Sequence, residues 1–449
     1  LLNLFHFNII ENENWNFSIF FFETSYVLSC LLIFIYTIRK NGWGSSPSIF
    51  FTTYFAFIGS RILLDFLNIS NFLETNLFFH TTLSLRTAHI FLFLNEGILL
   101  AFMLAVSFFT FNNKKRYIIN EDSTFYKLLT FIFKLFSPLV FMLNIYSLNL
   151  ALSTGNYLDI FTGEFEGDLL YNLSNTFQII YNSIYIIFLA STKSIDSLNK
   201  YSRFFFLNLI IFSLRGQRGM LLLFFFLFLY VRNNLKKINF RKVIPIVFSL
   251  FIFFTLIEFL RSTDSKKNDF EIFAQVKYIS LPAEVSLFLI EYNEEGFVNN
   301  STPYLFTPIV DYFNRLFNLV DENVFNQGRT ITLLRKSNYL SNQLTYYLNK
   351  PSYLAGFGTG SSIVAEFYDL FDHRFFSIFF LIFLIFIFKL EKLSNQNIFY
   401  KILWLVIFMS FIYSPRDSFF KFFQNFVPVL LLLLLLKTLS KLYELRIKS

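Results

Sequence analysis

The stretch FFFLNLIIFSLRGQRGMLLLFFFLFLYV, Phe204–Val231, decides how this chain is read. Two apolar runs, Phe204 to Leu214 and Met220 to Val231, are separated by Arg215-Gly216-Gln217-Arg218-Gly219. A helix needs about 20 apolar residues to cross a bilayer, and neither run reaches that length. Each run therefore predicts a short helix that stops part-way, inside protein. The two guanidinium groups between them cannot shed their protons. Such cations are costly near membrane depth unless they face a cavity, a carboxylate or a phosphate. Two of them, flanked by glycines, predict an anion site.

Working outward, the 449 residues are 55% apolar and only 15% charged, more apolar surface than a soluble chain can bury. Successive runs near spanning length make the fold an all-α polytopic membrane protein. The 70 phenylalanines accompany an Ile, Asn and Lys bias that reads as AT-rich coding, so they carry no functional weight. The lone Cys30 lies in the first apolar run, which excludes disulfides and cysteine metal sites. His6, His80, His89 and His373 lack zinc-site spacing, and no metal or cofactor is expected; His89 and His373 are candidate bases. The chain begins at Leu1, which leaves an upstream segment open, and Leu1 to Ile10 lacks the basic region and cleavage site of a signal peptide.

About eleven transmembrane helices are expected: Ser18–Tyr36, Ile49–Leu67, Ile90–Phe111, Leu128–Leu152, Gln178–Ala190, Phe204–Leu214, Met220–Val231, Val243–Phe259, Phe375–Phe388, Ile402–Tyr413 and Phe419–Leu436. Alternate loops differ in cations. One set carries Arg39 and Lys40, Lys114 to Arg116, Lys193 to Arg203, Arg232 to Lys242, Lys389 to Lys401 and the tail from Lys437. That set is cytoplasmic by the positive-inside rule. The loop Ser153 to Thr176, with Asp159, Glu164, Glu166 and Asp168 and no cation, faces outward, as does the N-terminus. The formal net charge of +8 is accounted for by the cytoplasmic loops, so no nucleic-acid partner is implied. The chain divides into an N-terminal transmembrane bundle (1–261), an outer cap loop (262–374) and C-terminal transmembrane helices (375–449). A loop that long is expected to be a folded, helical cap over a site.

This orientation gathers the unusual residues on the outer face. Arg215 and Arg218 lie at the outer ends of their helices, as do Arg261 and the break Ser414-Pro415-Arg416-Asp417, while Arg329 and Arg335 lie in the cap. Planar bidentate donors in a low-dielectric site suit a pyrophosphate. Arginines at span ends also snorkel to headgroups or pair with acids, and Asp417 offers Arg416 such a pair. Arg61 and Asp65, four apart, predict an intrahelical pair. Glu96 is a membrane-embedded carboxylate that either is functional or is explained by an Arg61 or Arg86 partner. Gly356-Phe357-Gly358-Thr359-Gly360-Ser361-Ser362 opens a helix, so its backbone donors can cradle a phosphate. Glu366 and Asp369, three apart, are expected to look along one face toward that turn, to orient or deprotonate an acceptor hydroxyl; acids at a helix N-terminus are equally explained by its dipole.

The mid-chain Gly-Gln-Arg-Gly break, the large outer loop, the Gly-x-Gly-Ser-Ser-x-x-Ala-Glu-x-Tyr segment at 358–368, and Ser46-Pro-Ser-Ile-Phe with Gly59-Ser60-Arg61 resemble the Wzy-type O-antigen polymerases over nearly the whole chain. The resemblance implies a GT-C-like membrane glycosyltransferase of the bacterial inner membrane. It would work at the periplasmic face without metal or nucleotide sugar, moving a growing glycan from undecaprenyl pyrophosphate onto a lipid-linked repeat unit. By similarity Arg215 and Arg218 contact the pyrophosphate and Glu366 lies in the site. Arg261, Arg329, Arg416, Gly358, Gly360 and Ser361 complete the expected pyrophosphate site, with Arg61, Glu96, Tyr368 and Asp369 as accessory candidates. The lipid-linked oligosaccharide, the bilayer and a chain-length regulator are the expected partners. The residues themselves fit displacement at an anomeric carbon, because a pyrophosphate leaves with charge stabilisation and the acceptor needs at most one base; a glycosidase needs a carboxyl pair. An O-antigen ligase shares this chemistry. A flippase or other transporter fits less well, since repeat halves and charged midplane residues are missing from the pattern.

Overall fold

The computed structural model describes every residue except 1, 14, 16–17, 72, 76–80, 110–122, 154–167, 216–217, 239–244, 246–248, 250–251, 253–278, 293–301, 322–323, 325–328, 357 and 449. Among the described residues the chain is helical apart from one antiparallel rung pairing Glu74–Thr75 with Thr81–Thr82. The helices are α1 (Leu2–Glu11), α2 (Ile19–Asn41), α3 (Ser46–Tyr54), α4 (Ser60–Phe66), α5 (Leu85–Phe108), α6 (Thr124–Ser153), α7 (Leu169–Ser191), α8 (Ile195–Leu214) and α9 (Arg218–Leu235). They continue with α10 (Leu281–Tyr292), α11 (Thr307–Leu316), α12 (Ile331–Lys336), α13 (Leu340–Leu348), α14 (Lys350–Leu354), α15 (Ile363–Leu393), α16 (Ile398–Tyr413) and α17 (Phe422–Lys448). Six helical stretches are long and apolar enough to cross a membrane: Ile19–Asn41, Ser46–Phe66, Leu85–Phe108, Thr124–Ser153, Leu169–Ser191 and Phe419–Leu445. Gly219–Leu235 and Ile398–Tyr413 are shorter apolar helices, so the chain is a multi-pass helical membrane protein. The expected span Val243–Phe259 lies almost wholly outside the described residues.

α5 is the central helix. It starts where the Ser84 hydroxyl accepts the Thr87 N–H (3.3 Å), and it is buried on nearly every side, as an all-round apolar helix should be. α15 runs along it, with Ser377 occupying the space that a side chain on Gly97 would need; small residues at such contacts let helices approach without a water-driven force. α1, α2 and α10 pack on other sides of α5. Between α3 and α4 one π turn, Phe55–Gly59, shifts the helical register. A Cβ at Gly59 would stand 2.8 Å from the Tyr26 hydroxyl, so this turn sits close against α2.

A second group packs α6 against α7 and α8, with α9 on α8 and α17 on α6 and α7, and α16 bridges the groups by touching α3, α7, α9 and α15. Its interior is polar in places. Ser174 Oγ donates to Asn144 Oδ1 (3.0 Å) and Asn144 Nδ2 to Gln178 Oε1 (2.9 Å), two buried bonds that join α6 to α7, and Gln178 Nε2 continues the ladder along α7 to Asn182 Oδ1 (2.8 Å). At the far end of α15, Glu391 accepts from Ser46 and from the Tyr230 hydroxyl (2.9 Å), which itself accepts from Trp404 Nε1 (2.9 Å), so α3, α9, α15 and α16 are tied together there.

Two features depart from the sequence reading. The segment expected to cover the bundle contains α10, whose residues Pro282 to Ile290 are all buried against α5, α15 and the π turn; this part of the loop is core. Second, α15 is one helix with a break at Asp372 (φ 51°, ψ 173°), which separates a short arm, Ile363 to Phe371, from the apolar span. The Asp372 carboxylate accepts the His373 N–H at 2.6 Å, a local hydrogen bond across the break.

Candidate functional site

The glycine-rich turn is held by α13. The Thr359 N–H donates to Thr345 Oγ1 (3.0 Å) and the Gly360 N–H to Ser341 Oγ (3.1 Å), so these two backbone donors serve the fold and the expected phosphate cradle loses them. Gly356 (φ 89°) and Gly360 (φ 78°) adopt the left-handed conformation that glycine tolerates. The glycine spacing also serves close approach. The Arg329 guanidinium fills the space a Cβ on Gly358 would occupy, and one on Gly360 would lie 3.1 Å from the Arg416 carbonyl. The turn then caps α15, the Ser362 hydroxyl accepting from the Val364 N–H (3.3 Å), and zips to the distant break as the Ile363 N–H donates to the Ser414 carbonyl (2.8 Å).

At that break, the pairing expected between Arg416 and Asp417 does not form. Asp417 lies four residues before Lys421 and takes its ammonium at 2.5 Å. Arg416 is exposed, packs over the Phe57 ring at 5.6 Å, and makes no ion pair among the described residues. Phe57 belongs to the π turn and meets Tyr413 edge-on at 5.9 Å. A Cβ on Gly219 would come within 2.5 Å of the Tyr413 hydroxyl, so the start of α9 also abuts this break. The π turn, the glycine-rich turn, the 413–417 break and the end of the 215–219 elbow thus share one neighbourhood.

Glu366 stands on the short arm of α15, fully buried, with Oε1 accepting from Ser361 Oγ at 2.7 Å. Its Oε2 has no hydrogen bond among the described residues. Burial pushes this carboxyl up to about 8, with the Ser361 hydroxyl opposing. Asp369 does not join it: Asp369 Oδ2 accepts the Tyr304 N–H (3.2 Å) at the start of a short turn, a structural use. Tyr368 is buried beside it in sequence. Arg329 lies over the Tyr353 ring at 5.8 Å, and burial lowers its pKa. Arg335 is exposed on α12.

The elbow arginines divide. Arg215 is buried, its Nη1 donating to Ser174 Oγ (3.0 Å) and its Nη2 to Asn175 Oδ1 (3.0 Å), between the rings of Tyr171 (4.8 Å) and Phe212 (5.0 Å). It therefore heads the polar ladder between α6 and α7. The Arg218 side chain and all of Arg261 lie outside the described residues.

At two other places the close contact goes to a residue other than the expected one. Arg61 is buried and meets Glu284 Oε1 of α10 at 3.3 Å, with a further hydrogen bond to the Glu74 carbonyl (2.5 Å). The close contact of Glu96 is a hydrogen bond with His6 of α1, Nδ1 to Oε2 at 3.2 Å, and the other His6 nitrogen faces His89 Nδ1 at 3.2 Å. Glu284 and His6 had no local signal, because their partners are remote in sequence. Ser286 of α10 bonds Ser362 (3.2 Å), which links α10 to the turn that carries Glu366. Lys421 was visible as a cation opening an apolar run.

The Glu366 carboxyl, bonded to Ser361, thus lies on the turn that the Arg329 guanidinium and the Arg416 backbone press against, an arrangement with donors for an anion and one group for a proton. No curated protein and no solved structure matches the chain. The family described as O-antigen polysaccharide polymerase Wzy matches residues 1–444, and the chain belongs to that family.

Proposed function

We propose that the chain is an O-antigen polymerase that transfers a growing glycan from undecaprenyl pyrophosphate to an undecaprenyl-pyrophosphate-linked repeat unit at the periplasmic face of the inner membrane. Family membership implies a glycosyltransferase-type polymerase acting on lipid-linked oligosaccharide. The observation that carries the finer reading is that the Gly358–Ser362 turn meets the Arg329 guanidinium, the backbone of Arg416 and the Glu366 carboxyl. In the proposed step an acceptor hydroxyl attacks the anomeric carbon of the donor glycan. The bond from that carbon to the pyrophosphate oxygen breaks, its electrons leave with undecaprenyl pyrophosphate, and the hydroxyl proton passes to Glu366. Arg416 and Arg329 stabilise the departing anion as fixed bidentate donors, and Arg218, next to the Tyr413 contact, is assigned to the same group. Arg215 keeps its place in this group and also holds the elbow, since two of its several donors serve Ser174 and Asn175.

With charge stabilisation assigned to arginine, extension is expected to proceed in a chelator. The residue boundaries 1–261, 262–374 and 375–449, the GT-C-like architecture and the count of about eleven spans are part of the same proposal, with α10 as a core element of the middle segment. The test is purified protein with one lipid-linked repeat unit, without nucleotide sugar and with chelator. A ladder of lengthened glycans supports the reading; transfer only to added lipid A core identifies a ligase, and neither product with leaflet exchange identifies a transporter.

A further inference from the structure

A cavity of about 530 Å³ opens between α8 and α9, away from the elbow. Its lining includes the polar Asn199, Arg203 and Arg232 and the apolar Phe206, Ile210 and Phe228. The two helices are antiparallel partners joined by the elbow, so Arg203 and Arg232 stand at the same end, each roughly 15–20 Å from it at the helical rise per residue. That is well short of a full hydrocarbon thickness of about 30 Å. Neither guanidinium makes an ion pair or a hydrogen bond among the described residues; Arg232 lies over the Phe228 ring at 5.9 Å. Of the lining residues Leu207 and Ile210 are exposed at 52% and 38%, so the apolar part of the groove continues onto the exposed face of α8.

From these observations we infer that the groove is a binding site for an anionic phospholipid, with the phosphodiester held in the fork of Arg203 and Arg232 and an acyl chain along Phe206, Ile210 and Phe228. The cavity volume lies in the ordinary range for small-ligand sites, about 300–1,000 Å³. A soluble anion would satisfy the arginines and leave the apolar wall uncovered, whereas a zwitterionic lipid would bring an ammonium next to two cations. The short apolar lengths of α8 and α9 draw the headgroup to the depth of the arginines, and basic pockets between membrane helices bind anionic headgroups in this way.

The test places the full chain in nanodiscs of equal phosphatidylglycerol and phosphatidylcholine, then extracts it in mild detergent and measures retained lipid. The wild type is expected to retain phosphatidylglycerol in preference. Arg203→Ala with Arg232→Ala should reduce that preference by roughly fivefold per arginine, and Lys437→Ala with Lys441→Ala should keep it. No preference in the wild type, or an unchanged preference in the arginine variant, overturns the site. Should the variant fail to fold, a photoreactive phosphatidylglycerol on the wild type decides: labelling concentrated on 199–210 and 228–232 supports the site, and labelling spread over the other helices overturns it.

Discussion

Replacing Arg416 with alanine separates chemistry from stability more cleanly than any other change at the site. Its guanidinium is exposed, without an ion pair among the described residues, and its one ring contact is with Phe57 at 5.6 Å. Loss of an exposed cation–π contact costs about 0.5–1 kcal/mol, so the variant should unfold within a few degrees of the wild type. Loss of a donor aimed at developing negative charge costs far more, about 2.7–4 kcal/mol of barrier, or roughly 10²–10³ in rate. The Asp417–Lys421 pair stays intact, so the backbone break that carries Arg416 keeps its anchor. The assay is the initial rate of ladder formation from a purified lipid-linked repeat unit, run beside a thermal unfolding curve in the same detergent. Arg416→Lys should give an intermediate rate, because an ammonium restores charge without the planar fork. An Arg416→Ala rate within about threefold of wild type, less than 1 kcal/mol of barrier, would refute its assignment to the leaving group.

Glu366→Gln should lower extension by about 10²–10⁴ and flatten its pH profile, whereas the wild-type rate should climb with pH and level off above about 8, where the carboxyl becomes a base. The same raised value predicts that the wild type loses stability, relative to Gln, as pH rises from about 4.5 through about 8, measured by thermal unfolding. Gly358→Ala should displace Arg329, so its extension rate should fall and the double variant with Arg329→Ala should be no worse than Arg329→Ala alone, a double-mutant cycle that independent action would break. Glu284→Ala leaves the Arg61 cation buried and should destabilise by about 3–5 kcal/mol in chemical unfolding, with Arg61→Met restoring part of the loss.

The membrane class was legible because hydropathy is a local property: a run such as Phe419 to Leu436 has no other place to go. The glycine-rich turn and Glu366 were legible as a motif, and the structure shows why its glycines are there, since Arg329 and the Arg416 backbone press against them. Pairing between charges was read poorly. Arg61 and Asp65, or Arg416 and Asp417, are neighbours along the chain, and short spacing made those pairs attractive. In the folded bundle Glu284, more than two hundred residues away, outcompetes Asp65 for the Arg61 contact, and Lys421 takes Asp417. A buried charge is satisfied by whichever opposite charge packing brings to it, and sequence separation has no say once the helices are assembled.

The sequence by itself determined a helical membrane chain, the break at 215–219, the motif at 356–369 and the family resemblance, all of which depend on residue type and spacing within single segments. Only the tertiary structure decided that α10 is core, that α13 hydroxyls consume two of the turn's donors, that Arg215 supports a polar ladder, and that the turn, the 413–417 break and the start of α9 meet. Those outcomes depend on contacts between helices, which in a membrane are set by close packing and by hydrogen bonds whose partners lie on other segments.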